Sequence, residues 1–357
     1  MGFSGVGDDL RLRGRSMTVI NDNRVDMYVH SLGHFHPETV LDNRFLESLD
    51  IGTDDAWIVE RVGIRSRHTV LPLDYIRTTK NADPRGALEA ATMSNAETGE
   101  RAARLALQRA GLQPSDIGMV VCGGCSPDEC IPAEANRVAE RLGINAPSFD
   151  LSAACSSFGA QLHFLTGMRP ERLPEFVLVV NPENSTRVVD YRDRSSCVLW
   201  GDGTSATILS PRTPGRYRIT ETLLGGDPAG ADKVKVPRIG HFWQQGAAVQ
   251  TFAIKRASET FGELRKRWLA AKPERKPDGL TLIGHQANLR MLEAVARRCE
   301  VTPDRHIYNV DRRGNTGASG APSVLSERWD DPNIPNDVAL CVVGSGLTWA
   351  GVLLERV

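Results

Sequence analysis

Apolar and polar residues follow one another along this chain in blocks that switch between two periods. Glu97–Ala110 places its apolar side chains at helical spacing and stops at Gly111. Ile117–Cys122 is a continuous apolar run, the mark of a strand covered on both faces. Pro132–Leu142 returns to the helical period and closes at Gly143. Ser148–Ala153 then predicts a short strand, Cys155–Thr166 a helix and Phe176–Val180 another buried strand. Val338–Leu354 is the most membrane-like stretch. It is short for a span and broken by Gly344, Ser345, Gly346 and Gly351, so it predicts two buried strands joined by a glycine turn. The alternation argues for an α/β fold in which helices cover a mixed sheet.

The order of elements repeats after roughly 160 residues. In the first copy a helix leads to the strand at Ile117, the helix Pro132–Leu142, and a short strand that ends in Cys155. In the second, the helix Ala257–Lys272 leads to the strand segment Asp278-Gly-Leu-Thr-Leu-Ile-Gly-His285, the helix Leu289–Glu300, and a strand-like stretch from Ile307 that ends in Asn315. The pattern implies two similarly folded halves, divided near Pro211–Arg216, with residues 25–211 in one and 212–357 in the other.

Composition changes the picture mainly by exclusion. The 357 residues include 43 basic and 44 acidic side chains, a net charge of −1, so no global basic field for nucleic acid exists. Seven scattered cysteines do not read as a disulfide framework. Cys122, Cys125 and Cys130 lack a second pair or a spaced histidine pair, so no zinc site is expected. Residues 1–16 hold no apolar core for a secretory signal, residues 1–24 read as a mobile tail, and a cytoplasmic protein is expected.

Three segments could carry chemistry. In Asp150-Leu-Ser-Ala-Ala-Cys155-Ser-Ser-Phe-Gly159 a short strand meets small residues and then a helical pattern. Cys155 would sit near a helix N-terminus, where the dipole favours the thiolate. A buried structural cysteine is the competing reading. In Leu282-Ile-Gly-His285-Gln-Ala-Asn288 a histidine ends an apolar strand, the place where α/β folds meet ligands, although a capping or core histidine would look the same. In Arg313-Gly-Asn315-Thr-Gly the asparagine precedes a helix and could equally be a turn or an N-cap. Together they offer a thiol, an imidazole and an amide, the set that acyl chemistry needs.

That set and its surroundings resemble the β-ketoacyl-acyl carrier protein synthase III family of the thiolase superfamily. The matching stretches are Trp57-Ile-Val-Glu-Arg61-Val-Gly-Ile-Arg65, Ala153-Ala-Cys155, Trp200-Gly-Asp-Gly203, His285-Gln-Ala-Asn288-Leu-Arg290, Gly314-Asn315-Thr and Gly344-Ser-Gly346-Leu-Thr-Trp349. The resemblance implies a thiolase fold, two αβαβα halves in a five-layered α/β/α/β/α core, and a homodimer. It implies that Cys155 takes an acyl group as a thioester. His285 and Asn315 would then bind the thioester carbonyl of a malonyl or β-ketoacyl group on a carrier protein, and Claisen-type condensation would follow. It places the oxyanion hole at the N–H groups of Cys155 and Gly346, and the coenzyme A contacts at Trp57, Arg61, Arg194 and Asn288. Ile131 falls where the family often has an aromatic residue of the acyl pocket. Arg290, Arg297 and Arg298, on one helix face, would dock an acidic carrier protein, unless they are only a solvated face. No metal or cofactor is implied, only coenzyme A thioesters and acyl carrier protein as substrates.

The departures are Cys155-Ser156-Ser157-Phe158 where the family often has Cys-Ala-Gly-Phe, and a long stretch Leu71–Asn95. With Gly33-His-Phe-His-Pro37, that stretch is similar to the branch that makes dialkylresorcinols and aryl polyenes. Other expectations remain beside the condensing enzyme. They are an acyltransferase of the same fold acting on an alcohol or amine, a non-catalytic subunit that holds acyl chains, and a thioesterase.

Overall fold

The computed structural model describes residues 26–357, so the tail expected over residues 1–24 lies outside the described residues. The strands that build the main sheet are β1 (Met27–Phe35), β2 (Ile117–Cys122), β3 (Ser148–Asp150), β4 (Phe176–Glu183), β5 (Gly203–Ser210), β6 (Tyr217–Gly226), β7 (Thr281–Gly284), β8 (Asp337–Gly344) and β9 (Thr348–Arg356). The helices that matter here are α1 (Asp55–Val62), α2 (Leu73–Thr79), α3 (Pro84–Ala90), α4 (Asn95–Ala110), α5 (Glu134–Leu142), α6 (Ser157–Thr166), α7 (Gly246–Ala271), α8 (Leu289–Arg298) and α9 (Gly320–Glu327).

Two sets of strands follow the same plan. One runs β3-β2-β4-β5-β1; the other runs β7-β8-β9-β6, and β6 meets β1 through only three residue pairs. In the first set β2 lies parallel to β3 and β4, while β4–β5 and β5–β1 are antiparallel. In the second, β7–β8 is parallel and β8–β9 and β9–β6 are antiparallel. A single parallel bridge, Leu282 to His306, stands where β3 stands in the first set.

Strand periodicity explains the layering. Val177 and Val179 of β4 face a central cluster, whereas Leu178 and Val180 face outward. The outward residues pack against Ala102, Ala106 and Leu107 of α4 and Val138 and Leu142 of α5. In the second set Leu340 and Val342 of β8 face the centre, while Ala339, Cys341 and Val343 meet α7 and α8. The centre is filled by α6 and α9, buried over nearly their whole length. Five layers result, helices alternating with sheets, and each sheet is covered on both faces. This is why its strands read as unbroken apolar runs. The central layer is tight: a Cβ at Gly159 of α6 would stand 2.5 Å from the Ala350 Cβ of β9.

Three sequence expectations shift. Helix α5 begins at Glu134, two residues beyond Pro132, because Asp150 of β3 accepts the N–H groups of Glu134 and Ala135 (2.8 and 2.9 Å) and so fixes the first turn there. Helix α7 starts at Gly246, eleven residues ahead of Ala257; its first turns hold Ala247, Ala248, Val249, Phe252, Ala253 and Ile254, but of residues 246–256 only Ala253 is buried. The strand expected from Ile307 is absent. A one-turn helix, Val310–Arg313, replaces it, because Gln286 Oε1 accepts the N–H groups of Asn309 and Val310 at 3.1 and 3.2 Å and turns the chain. The long stretch Leu71–Asn95 forms α2 and α3.

Candidate active site

The chain leaves β3 at Asp150 and turns sharply at Ala154, whose φ is +50°. Cys155 follows, two residues ahead of α6. The turn is closed by Ser156 N–H to Ala153 O (3.1 Å) and Ser157 N–H to Ala154 O (2.9 Å). The second half presses on it from behind: a Cβ on Gly344 would lie 2.8 Å from both Ala153 O and Ser156 N, so no larger residue fits at the end of β8.

His285 follows β7 directly. Its N–H donates to Cys341 O and its carbonyl accepts from Ala287 N–H, both at 2.8 Å, and the residue is buried. Asn315 is woven into the other half. Its N–H donates to Leu199 O (2.8 Å), its carbonyl accepts from Gly201 N–H (3.0 Å), and its Oδ1 accepts from Gly317 N–H (3.1 Å). With the amide oxygen so engaged, Nδ2 is the end left to donate. Cys155, His285 and Asn315 line one cleft.

The electrostatics favour a reactive thiol. Cys125 Sγ lies 3.4 Å from Cys155 Sγ. Its hydrogen bond to Cys155 is the largest influence holding that thiol well below the ordinary range; burial opposes it, and a hydrogen bond and charge from His285 add to the lowering. Cys125 is pushed well up by the same contact, by burial and by Glu183. The Glu183 carboxylate, fully buried at the end of β4, accepts the N–H groups of Cys125 (3.0 Å) and Ala318 (2.8 Å). Burial, and then Cys155, push it up to about 7.

The remaining expected residues are only partly gathered. Arg61 and Asn288 line the cleft, and Asn288 also caps α8, its Oδ1 accepting Met291 N–H at 2.8 Å. Trp57 and Arg194 stand beside the cleft as a stack, with the guanidiniums of Arg194 and Arg61 4.9 and 5.8 Å from the indole centroid. Gly344, Ser345 and Leu347, on either side of Gly346, line the cleft, and Leu347 N–H already donates to Asp227 O (3.0 Å). The expected basic stripe is incomplete. Arg290 folds onto the C-terminus of α1, donating to Glu60 O (2.9 Å) and to Val59 O (2.8 Å), which also accepts Gly63 N–H (3.0 Å), and pairing with Glu293; the last carbonyls of a helix attract a guanidinium. Arg297 and Arg298 stay exposed. Ile131 is 85% exposed and outside the cleft.

Sequence reading missed Cys125, Glu183 and Arg67. Arg67 is wholly buried behind the Asn315 loop, donating from Nη1 to Asn43 Oδ1 (2.6 Å) and from Nε to Val198 O (3.2 Å). A signal for the first two existed, since Cys125 follows β2 and Glu183 ends β4, both at the carboxyl ends of parallel strands, where α/β folds build their sites.

A five-layered α/β fold with a thiol, an imidazole and an amide converging on one cleft defines a thiolase-fold condensing enzyme. Residues 149–228 match the family model 3-oxoacyl-[acyl-carrier-protein] synthase III, and residues 273–356 match the model of its C-terminal part. The β-ketoacyl-[acyl-carrier-protein] synthase III of Roseiflexus sp. (strain RS-1) is 34% identical, over 89% of this chain and 95% of that protein. That of Alkalilimnicola ehrlichii is 33% identical, over 90% and 97%. Among solved structures, the synthase III of Pseudomonas aeruginosa PAO1 superposes with a TM-score of 0.79 at 30% identity, covering 93% of this chain and 98% of that one. The priming β-ketosynthase of the R1128 polyketide pathway gives 0.78 at 25%, covering 93% and 97%. The chain belongs to the β-ketoacyl-acyl carrier protein synthase III family.

Proposed function

We propose that this condensing enzyme acts as an acyltransferase that loads an acyl group from a coenzyme A thioester onto Cys155 and extends it with a malonyl- or β-ketoacyl-thioester on an acyl carrier protein. The Cys155 thiolate attacks the acyl carbonyl. Its own N–H and that of Gly346 steady the oxyanion, and the coenzyme A thiolate leaves. The second thioester then enters the same cleft, where the donors of His285 and Asn315 hold its carbonyl oxygen. When a malonyl group loses carbon dioxide, the negative charge appears on that oxygen, where such donors act most strongly. The enolate carbon attacks the acyl carbonyl, and Cys155 departs as thiolate.

The observation that carries this reading is that Cys155, His285 and Asn315 converge on one cleft beside Arg61 and Asn288. The narrower likeness to resorcinol-forming enzymes belongs to the same proposal. Pro84, Arg85 and Leu88 of α3, from the long stretch, wall a second, open cavity that reaches Cys125, with Val188, Val236 and Ile239 also in its lining, and this reading assigns it to an acyl chain. A homodimer is proposed from the exposed edge: β3 is a three-residue edge strand, and Phe149 in it is 40% exposed, while Phe164 of α6 and Ile131 are 52% and 85% exposed. Seven unpaired cysteines fit a reducing cytoplasm.

The test is intact-protein mass spectrometry after incubation with acyl-CoAs from acetyl to long-chain, wild type beside Cys155→Ala. A mass gain equal to the acyl group in wild type alone is expected. An equal gain in Cys155→Ala would remove Cys155 as the nucleophile.

A further inference from the structure

Of the three cysteines between residues 122 and 130, Cys122 is buried in β2, Cys130 is exposed, and Cys125 meets Cys155 at 3.4 Å. The two thiols stand between two spaces. Cys155 lines the cleft that holds His285 and Asn315, and Cys125 lines the second cavity. Neither half-reaction written above uses Cys125.

We propose that Cys125 is a positioning residue for acyl loading: its S–H donates to the Cys155 sulfur and holds the nucleophile as the thiolate. The inference rests on Cys155 being the nucleophile. The direction of the hydrogen bond follows from what faces each sulfur. Among the described residues, the titratable groups around Cys155 are Cys125 from the loop after β2, His285 from the end of β7 and Glu183 from the end of β4. Cys155 also precedes the N-terminus of α6, which favours negative charge. Glu183 is near both sulfurs, but Cys125 is bonded to its carboxylate directly, through its own N–H and its thiol, whereas Cys155 has the His285 imidazole beside it. A second negative charge beside Glu183 is disfavoured, so the shared proton stays on Cys125 and the charge settles on Cys155. Loading needs the thiolate, because the thiol is a poor nucleophile.

The experiment follows alkylation of Cys155 by iodoacetamide in oxygen-free buffer from pH 5 to 10. The extent is read on the peptide carrying Cys155, for wild type, Cys125→Ala, Cys125→Val and Cys125→Ser. In the two variants without a donor the midpoint of the profile moves to higher pH. Alkylation below the midpoint then slows by about tenfold or more, the worth of a hydrogen bond to a charged group. Cys125→Ser keeps a hydroxyl donor and recovers part of the loss. The rate of acyl loading from acetyl-CoA shifts with the same profile. An unmoved midpoint in whichever donor-free variant folds overturns the proposal. The alkylation profile is taken without any acyl donor and reads the free Cys155 thiol whether or not that thiol is the nucleophile, so failure of the nucleophile assignment, seen as acylation of Cys155→Ala, is told apart from failure of this one.

Discussion

The two halves of the molecule share a strand order and differ in what they deliver at equivalent places. Beyond β2 the first half places Gly123-Gly124-Cys125; beyond β7 the second places His285 at once. Ahead of α6 the first half presents Cys155; ahead of α9, with a short 3-10 turn between, the second presents Asn315. Each half also closes the other's site. Gly344 of the second backs the Cys155 turn, and Leu199 and Gly201 of the first pin the Asn315 backbone. The lesson is that the duplicated topology supplies strand ends and helix starts at one spot, and the residues set there decide the chemistry. In the proposed reaction the first half carries the nucleophile and the larger part of its charge control, from Cys125, and the second carries the donors for a carbonyl oxygen, His285 adding the rest of that control.

The sharpest way to break that division is to remove the second half's donors. His285→Ala and Asn315→Ala should each leave the acyl-enzyme mass gain in place and slow condensation by about 10²–10³-fold. Equal loss of loading and condensation would show that the halves do not divide the work. A smaller effect is expected from Arg67→Met, at the seam between them. The Arg67 stem packs against Gly314, where an added Cβ would lie 2.7 Å from its Cγ, so the side chain forms the back wall of the Asn315 loop. Its removal leaves Val198 O and Asn43 Oδ1 buried without a donor. Urea unfolding should show a loss of about 2–4 kcal/mol. Condensation should fall more than loading; a fall in loading alone would place Arg67 with the first half.

The same contrast separates what the sequence showed from what it did not. The buried strands β2 and β4 and helix α8 were legible because both sheet faces are covered and because the helix buries one stripe. Cys155, His285 and Asn315 were legible jointly, each following a strand or a turn in family-like surroundings. Cys125 was not, because nothing local relates it to a thiol thirty residues away; it was weighed only as a metal ligand. Arg67 was hidden for a similar reason, since a buried arginine is recognised by its partners, Asn43 and Val198, and these come from distant parts of the chain. Arg290 misled for the opposite reason. Helix spacing put it on a face with Arg297 and Arg298, but only the fold shows the α1 carbonyls that engage it.

The smallest effect concerns the equivalent helices α5 and α8. Helix α8 starts from the neutral cap of Asn288, whereas α5 starts beside two carboxylates, Asp150 accepting its first N–H groups and Glu134 buried at its first position. Burial, and then Asp128, push Glu134 up to about 7, against an ordinary value near 4.5. Between those values the folded chain keeps a proton that the unfolded chain has released. The contribution of Glu134 to stability is therefore most favourable below about pH 4.5, falls as the pH rises, and is flat above about 7. Glu134→Gln should remove that slope while keeping an oxygen for Asn95 Nδ2 and Asp128 N–H, which lie 3.0 and 3.1 Å away. Relative to wild type, the variant should gain about 1–3 kcal/mol on going from pH 5 to pH 8, measured by urea unfolding at both. Asn288→Asp in α8 is the matching control. A carboxylate there can face the open cleft and stay hydrated, so its pH slope over the same range should be the smaller of the two. A slope in α8 as large as that in α5 would mean that the charge at α5 is set by the helix start itself and not by burial within the first half.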